Sequence, residues 1–249
     1  MVCGILCHYR AVGYYFRITM AFDFITGELL LVDKPIDWTS FDVVNKIRRL
    51  ISRTIGVRLK VGHAGTLDPK ATGLLLICTG GMTKQINRFM ELDKEYTGTF
   101  FLGATTPSFD TETEPEPHSS IMHPESEIIH ATAKKFTGPI LQVPPLFSAK
   151  KIEGKRAYTL ARKNLDIDLP PVPVTIHTFE ITRFEYPEVD FRVNCSKGTY
   201  IRSLARDFGE ALGTGAYLSS LRRTRIGNYE ATDAISISQF ESLLQTMKK

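Results

Sequence analysis

With 249 residues the chain is long enough for one sizeable core, and its hydrophobic (43%) and charged (23%) contents are those of a soluble globular protein. A net charge of +4 is too small to establish a phosphate-bearing partner, and no apolar run approaches the ~20 residues of a membrane-spanning helix. Four scattered cysteines (Cys3, Cys7, Cys78, Cys195) exclude a disulfide framework, and Cys3, Cys7 and His8 lack the second ligand pair of a metal clip.

Residues 1–19 are aromatic, carry no acid and have neither the basic start nor the cleavage site of a secretory signal. They read as an extension ahead of Met20, and residues 1–22 are expected to be disordered or a mis-assigned start. The organised sequence begins with a buried strand at 28–33. Thr39 or Ser40 then caps a helix whose apolar stripe is Val43, Val44, Ile47, Leu50 and Ile51. A glycine-punctuated loop spans Gly62–Gly73, followed by a buried strand at Leu74–Cys78, a short helix at Met82–Met90 and a strand at Glu95–Leu102.

Residues 106–125 hold four prolines and many acids and read as a loop; 125–136 can form a helix. Pro139, Pro144 and Pro145 mark a second irregular stretch, and Tyr158–Asn164 ends a short helical pattern. Strands follow at 174–185 and 189–195, the latter alternating through Val189, Phe191, Val193 and Cys195. Ile201, Leu204, Ala205, Phe208, Ala211 and Leu212 make the cleanest helix face, which Gly213 stops. The pattern is α+β, without the βαβ rhythm of a parallel sheet. Residues 106–170 look like a loop-rich insertion on one domain at 23–249.

No phosphate loop, zinc helix or serine elbow is present. Two stretches stand out. Gly62–Gly73 (GHAGTLDPKATG) places His63 and Asp68 among three glycines, which permit close backbone approach. Taken alone, Asp68-Pro69 is a common turn. Ser196–Arg206 (SKGTYIRSLAR) puts Arg202 and Arg206 one helical turn apart, on a solvated face or facing a phosphate or carboxylate. Basic residues also cluster at Arg222, Arg223 and Arg225 and at Lys150, Lys151, Lys155 and Arg156, whereas acids collect at Asp110–Glu116.

Five motifs in order resemble the TruB family of tRNA pseudouridine-55 synthases, relatives of the dyskerin-type enzymes. They are LVDKPIDWTS (31–40), GHAGTLDPKATGLL (62–75), KEY with LG (94–96, 102–103), QVPPLFSAK with GKRAY (142–150, 154–158), and KGTYIR with LRRT (197–202, 221–224). The resemblance implies a pseudouridine-synthase fold with a mixed, largely antiparallel sheet, and isomerisation of an extruded uridine in the tRNA T-loop without any cofactor or metal. It makes Asp68 the nucleophile, Arg202 its ion-pair partner and Tyr96 the aromatic that stacks on the target base. His63 would fill the space the base leaves, and Leu221, Gly65, Thr66 and Lys150 would contact substrate. Lys34 and Pro35 would support the site without chemistry.

Three departures accompany it: Phe147 where the family often has Tyr, no glycine after the Thr105–Asp110 segment, and an end near Lys249 where many bacterial members continue into a PUA-type domain. The insertion, with Arg156 and Arg162, is then expected to carry more phosphate contact. A cytoplasmic monomer is expected. A tRNA folding chaperone is the alternative; a hydrolase using Asp68 and His63 lacks a metal or triad.

Overall fold

The first motif folds as a strand and a capped helix. β1 (Leu29–Lys34) buries Leu30, Leu31 and Val32. α1 (Ser40–Ile55) opens on a capping box: Thr39 Oγ1 accepts from the Asp42 N–H, and the Asp42 carboxylate accepts from the Thr39 N–H. It closes at Gly56, whose φ of 74° is left-handed. The expected stripe of Val43, Val44, Ile47, Leu50 and Ile51 is buried. The structure, a computed structural model, describes residues 22–118, 123–146, 151–152, 155–156 and 169–247; the readings of 1–21, of Phe147, Lys150 and Arg162 and of the 158–164 pattern lie outside the described residues.

The chain forms two units, residues 1–92 with 223–249, and residues 93–222. In the first, β2 (Val61–His63) and β3 (Ala71–Thr79) are antiparallel, with His63 opposite Ile77, and β1 lies along β3 from Leu29 opposite Cys78 to Lys34 opposite Gly73. The strand expected from Leu74 therefore begins earlier, and the glycine-rich stretch is a loop only over 64–70. The ladder absorbs its ends because their backbone groups find partners there. The expected helix at Met82–Met90 is a 3-10 turn at Gly80–Gln85 followed by α2 (Ile86–Met90).

The second unit contains β4 (Lys94–Leu102), α3 (Ser126–Lys135), β5 (Gly138–Gln142), β6 (Val172–Glu185), β7 (Glu188–Cys195), α4 (Ile201–Leu212) and β8 (Ala216–Ile226), whose last four residues belong to the first unit. Neighbours in its sheet run β8, β4, β7, β6, β5. The registered pairs are antiparallel, and a parallel bridge joins Asp110 to Leu218. The stretch around Pro139, read as irregular, is the edge strand β5, where a residue without an N–H is tolerated. Val189, Phe191, Val193 and Cys195 face inward as the alternation required, and Phe100, Phe179, Phe191 and Phe208 form one aromatic core.

The chain ends with α5 (Ile237–Thr246), capped by Ser236 and Gln239, which returns Phe240 and Leu244 to the core of the first unit beside Val43, Ile47 and Ile51. Among the described residues no helix is long and apolar enough to cross a membrane, and no three His, Cys, Asp or Glu side chains gather as a metal site.

Candidate active site

The loop that carries Asp68 is held through its backbone. Three buried side chains from distant parts of the first unit converge on it. Ser40, at the first position of α1, donates from Oγ to the Leu67 carbonyl (3.1 Å) and accepts from the Leu67 N–H (2.9 Å). Lys34, fully buried at the end of β1, donates to the Pro69 carbonyl at 3.2 Å and to those of Trp38 (2.6 Å) and Pro35 (2.9 Å). Arg223 is 1% exposed. It donates from Nε to Leu74 (2.8 Å) and from its two terminal nitrogens to Thr66 (3.3 Å) and Gly65 (3.1 Å).

The Asp37 N–H adds a bond to the Pro69 carbonyl (2.9 Å), and the Asp68 carbonyl accepts from the Ala71 N–H (3.1 Å) to close the turn. Gly65 sits at φ +99°, which a side chain would strain. Both peptide neighbours of Asp68 are thus fixed, while its own side chain is half-buried. Electrostatically the loop lies near two cations. Burial pushes the Lys34 ammonium down to about 8, and the Asp68 carboxylate works against that shift. Burial also lowers the pKa of His63, and Arg223 acts in the same direction. Its Nδ1 is buried without a well-formed hydrogen bond, although the nearby Gly65 backbone favours the protonated ring. His63 is therefore a neutral imidazole near pH 7.

In the second unit Tyr96 is 9% exposed, on β4 opposite Val193 of β7. Leu221 is half-buried on β8. Arg202, in the first turn of α4, is buried against Asp110: Nε lies 3.5 Å from Oδ2, and a terminal nitrogen donates to the Ser108 carbonyl at 3.1 Å. Asp110 also accepts from Ser108 Oγ (2.6 Å) and the Glu112 N–H (2.9 Å). The segment Thr105–Asp110, which departs from the family pattern, is thus a tightly bonded turn. Arg206 is engaged by the Asp207 carboxylate at 2.6 Å and lies over the Phe109 ring, rather than forming a solvated face.

Of the sequence-predicted residues, His63, Gly65, Thr66 and Asp68 share one loop in the first unit, and Tyr96, Arg202 and Leu221 belong to the second. A backbone-braced aspartate turn beside a neutral histidine suits nucleophilic or acid–base work but does not by itself name a reaction. Comparison with known proteins does. Residues 51–201 match the model of the TruB family pseudouridylate synthase N-terminal domain, and 202–249 that of the tRNA pseudouridylate synthase B C-terminal domain.

The chain belongs to the TruB family.

It is a pseudouridine synthase. It is 53% identical to the tRNA pseudouridine synthase B of Flavobacterium johnsoniae, over 90% of this chain and 98% of that protein, and 51% identical to that of Phocaeicola vulgatus, over 89% and 95%. Among solved structures it resembles a Cbf5–Nop10–Gar1 complex, with a TM-score of 0.68 and 30% identity over 91% of this chain. It also resembles an H/ACA RNP bound to a substrate RNA containing 2′-deoxyuridine, with a TM-score of 0.62 and 28% identity over 88%. The chain spans 56% and 54% of those two solved chains. The α+β pseudouridine-synthase fold expected from the motifs is the fold of these relatives.

Sequence reasoning missed the clamp around the TruB loop. Arg223 stands in the basic cluster at 222–225, and the structure buries it on three carbonyls. Ser40 had been noted only as a helix cap. The signal that could have found both was their place inside the first and last motifs, at 31–40 and 221–224.

Proposed function

We propose that this synthase isomerises uridine to pseudouridine at position 55 in the T-loop of tRNA, with Asp68 as the nucleophile toward an extruded nucleotide. The observation that carries the reading is the loop clamp. Lys34, Ser40 and Arg223 place buried hydrogen bonds on the backbone on both sides of Asp68, so that its side chain springs from a rigid support. The high identity to named tRNA pseudouridine synthases supports tRNA as the substrate.

The reaction breaks the bond from ribose C1′ to base N1, turns the base and joins C1′ to C5. C5 then loses its proton and N1 gains one, so that product and substrate are isomers. A carboxylate that adds covalently to the nucleoside lowers the barrier to this exchange. Arg202, buried and ordered by Asp110, would hold Asp68 ionised. Tyr96 would stack on the target base and His63, as a neutral ring, would occupy the space it vacates, with Leu221 on the apolar side. Gly65 and Thr66 would admit the RNA backbone, and Lys150 with the rest of 106–170 would meet phosphates. No cofactor enters this chemistry, and a monomer in the cytoplasm suffices for it.

Replacement of Asp68 by Asn keeps the shape of the turn and removes the nucleophile. Pseudouridine at position 55, read by chemical mapping of reacted tRNA, should be lost, while the tRNA dissociation constant stays within about threefold. Full conversion by this variant would refute the assignment.

A further inference from the structure

Residues 46–62 (KIRRLISRTIGVRLKVG) contain six cations and no acid, and 82–90 add Lys84 and Arg88, again without an acid. Lys46 is matched by Glu241 of α5 at 3.0 Å, but among the described residues Arg48, Arg58 and Lys60 have no ion-pair partner. The structure gathers these three around an open groove of about 450 Å³, walled by Arg48, Arg58, Lys60, Gly62, Thr83 and Ile86. Arg48 is held in place there by bonds to the Val61 carbonyl and Asn45 Oδ1, both 3.1 Å. Arg58 and Lys60 are exposed at its rim.

Part of this charge has a local use, since Arg53 in the last turn of α1 complements the negative end of the helix. Arg58 and Lys60 lie beyond the Gly56 cap, where that field has faded, and flank β2 instead. β2 is also the strand that ends at His63, so the groove wall leads directly into the site loop.

We infer that this groove is a second RNA contact, in which Arg48, Arg58 and Lys60 bind phosphodiester oxygens of the substrate backbone away from the target uridine. The inference rests on the tRNA reading of the site. Clustered cations with no protein anion among the described residues, in a cleft roomy enough for a phosphate and its sugar, are the means by which proteins hold a nucleic-acid strand without reading its sequence. The sequence alone spreads these charges along a helix and a loop, and gives no sign that they face one groove.

The test compares tRNA binding by the wild-type chain and by Arg58→Ala/Lys60→Ala over a range of salt. Arg183→Ala/Arg192→Ala, which removes two charges from β6 and β7, serves as the charge-matched control. Affinity of the groove variant should fall by roughly tenfold at low salt, and the slope of log K against log salt should become shallower by about 1.4–1.8, at 0.7–0.9 per lost phosphate contact. The control should stay within about twofold. Equal affinity and slope in wild type and groove variant would overturn the inference while leaving conversion by the wild type, and so the tRNA reading, untouched. A wild type that neither binds nor converts tRNA would end both. Thermal stabilisation by inorganic phosphate, or binding to anionic lipid vesicles, that the groove variant loses while keeping its tRNA affinity would assign the groove to another anion and likewise reject RNA.

Discussion

Lys34 shows how one buried residue braces the candidate site loop through its backbone. Its ammonium has three N–H groups, and the carbonyls of Pro35, Trp38 and Pro69 use all three. Burial lowers its pKa from 10.5 to about 8, against the pull of Asp68. In the window between those values the unfolded chain still holds a proton that the folded chain has released. Raising pH through that window therefore disfavours unfolding, and the folded state gains stability. Lys34→Met lacks this titration. Urea titrations at about pH 7 and about pH 10 should show the stability of wild type rising relative to Lys34→Met by about 1–3 kcal/mol. A difference that does not move with pH would mean that Lys34 keeps its proton throughout.

The loop at 64–70, which carries the proposed nucleophile, owes little to its own propensity. Its seven residues borrow their geometry from β1, α1 and β8. Arg223 is the widest of these braces, spanning Leu74 on one side and Gly65 and Thr66 on the other. A lysine there keeps the charge and loses the fork, so it cannot satisfy both sides. Arg223→Lys should destabilise the protein by about 2–4 kcal/mol. Its kcat on saturating tRNA should fall by roughly 100-fold, as expected for a displaced reacting group. Unchanged kcat in urea-free buffer would show that the loop stands without the brace.

This dependence also explains what could be read in advance. α1 and α4 were legible because their apolar stripes repeat at helical spacing, and β7 because it alternates. β8 was not, because Arg222, Arg223 and Arg225 break its apolar pattern, and a buried arginine looks like an exposed one until its acceptors are known. The role proposed for Asp68 comes only from motif resemblance; alone it is an ordinary turn residue. The segment Thr105–Asp110 lacks the family's following glycine, and its Asp110 is a buried partner of Arg202.

At the scale of the molecule, the first unit is left at residue 92 and completed only when the chain returns at 223. The acceptors of Arg223 lie 149 to 158 residues earlier, so the site loop cannot be braced until nearly the whole chain has folded. The last helix takes part in the same closure. Phe240 is fully buried, edge-on to Phe24 at 6.3 Å and in one cluster with Val43, Ile47 and Ile51 of α1. α1 in turn presents Ser40 to Leu67. Removing the Phe240 ring should therefore weaken the support of α1 without touching any group of the site. Phe240→Ala should cost about 3–5 kcal/mol in urea unfolding. At temperatures where the variant remains folded, kcat should drop less than for Arg223→Lys, because α1 keeps its cap and its bond to Leu67. A stability loss below about 1 kcal/mol would show that α5 is an accessory to the unit rather than a part of its core.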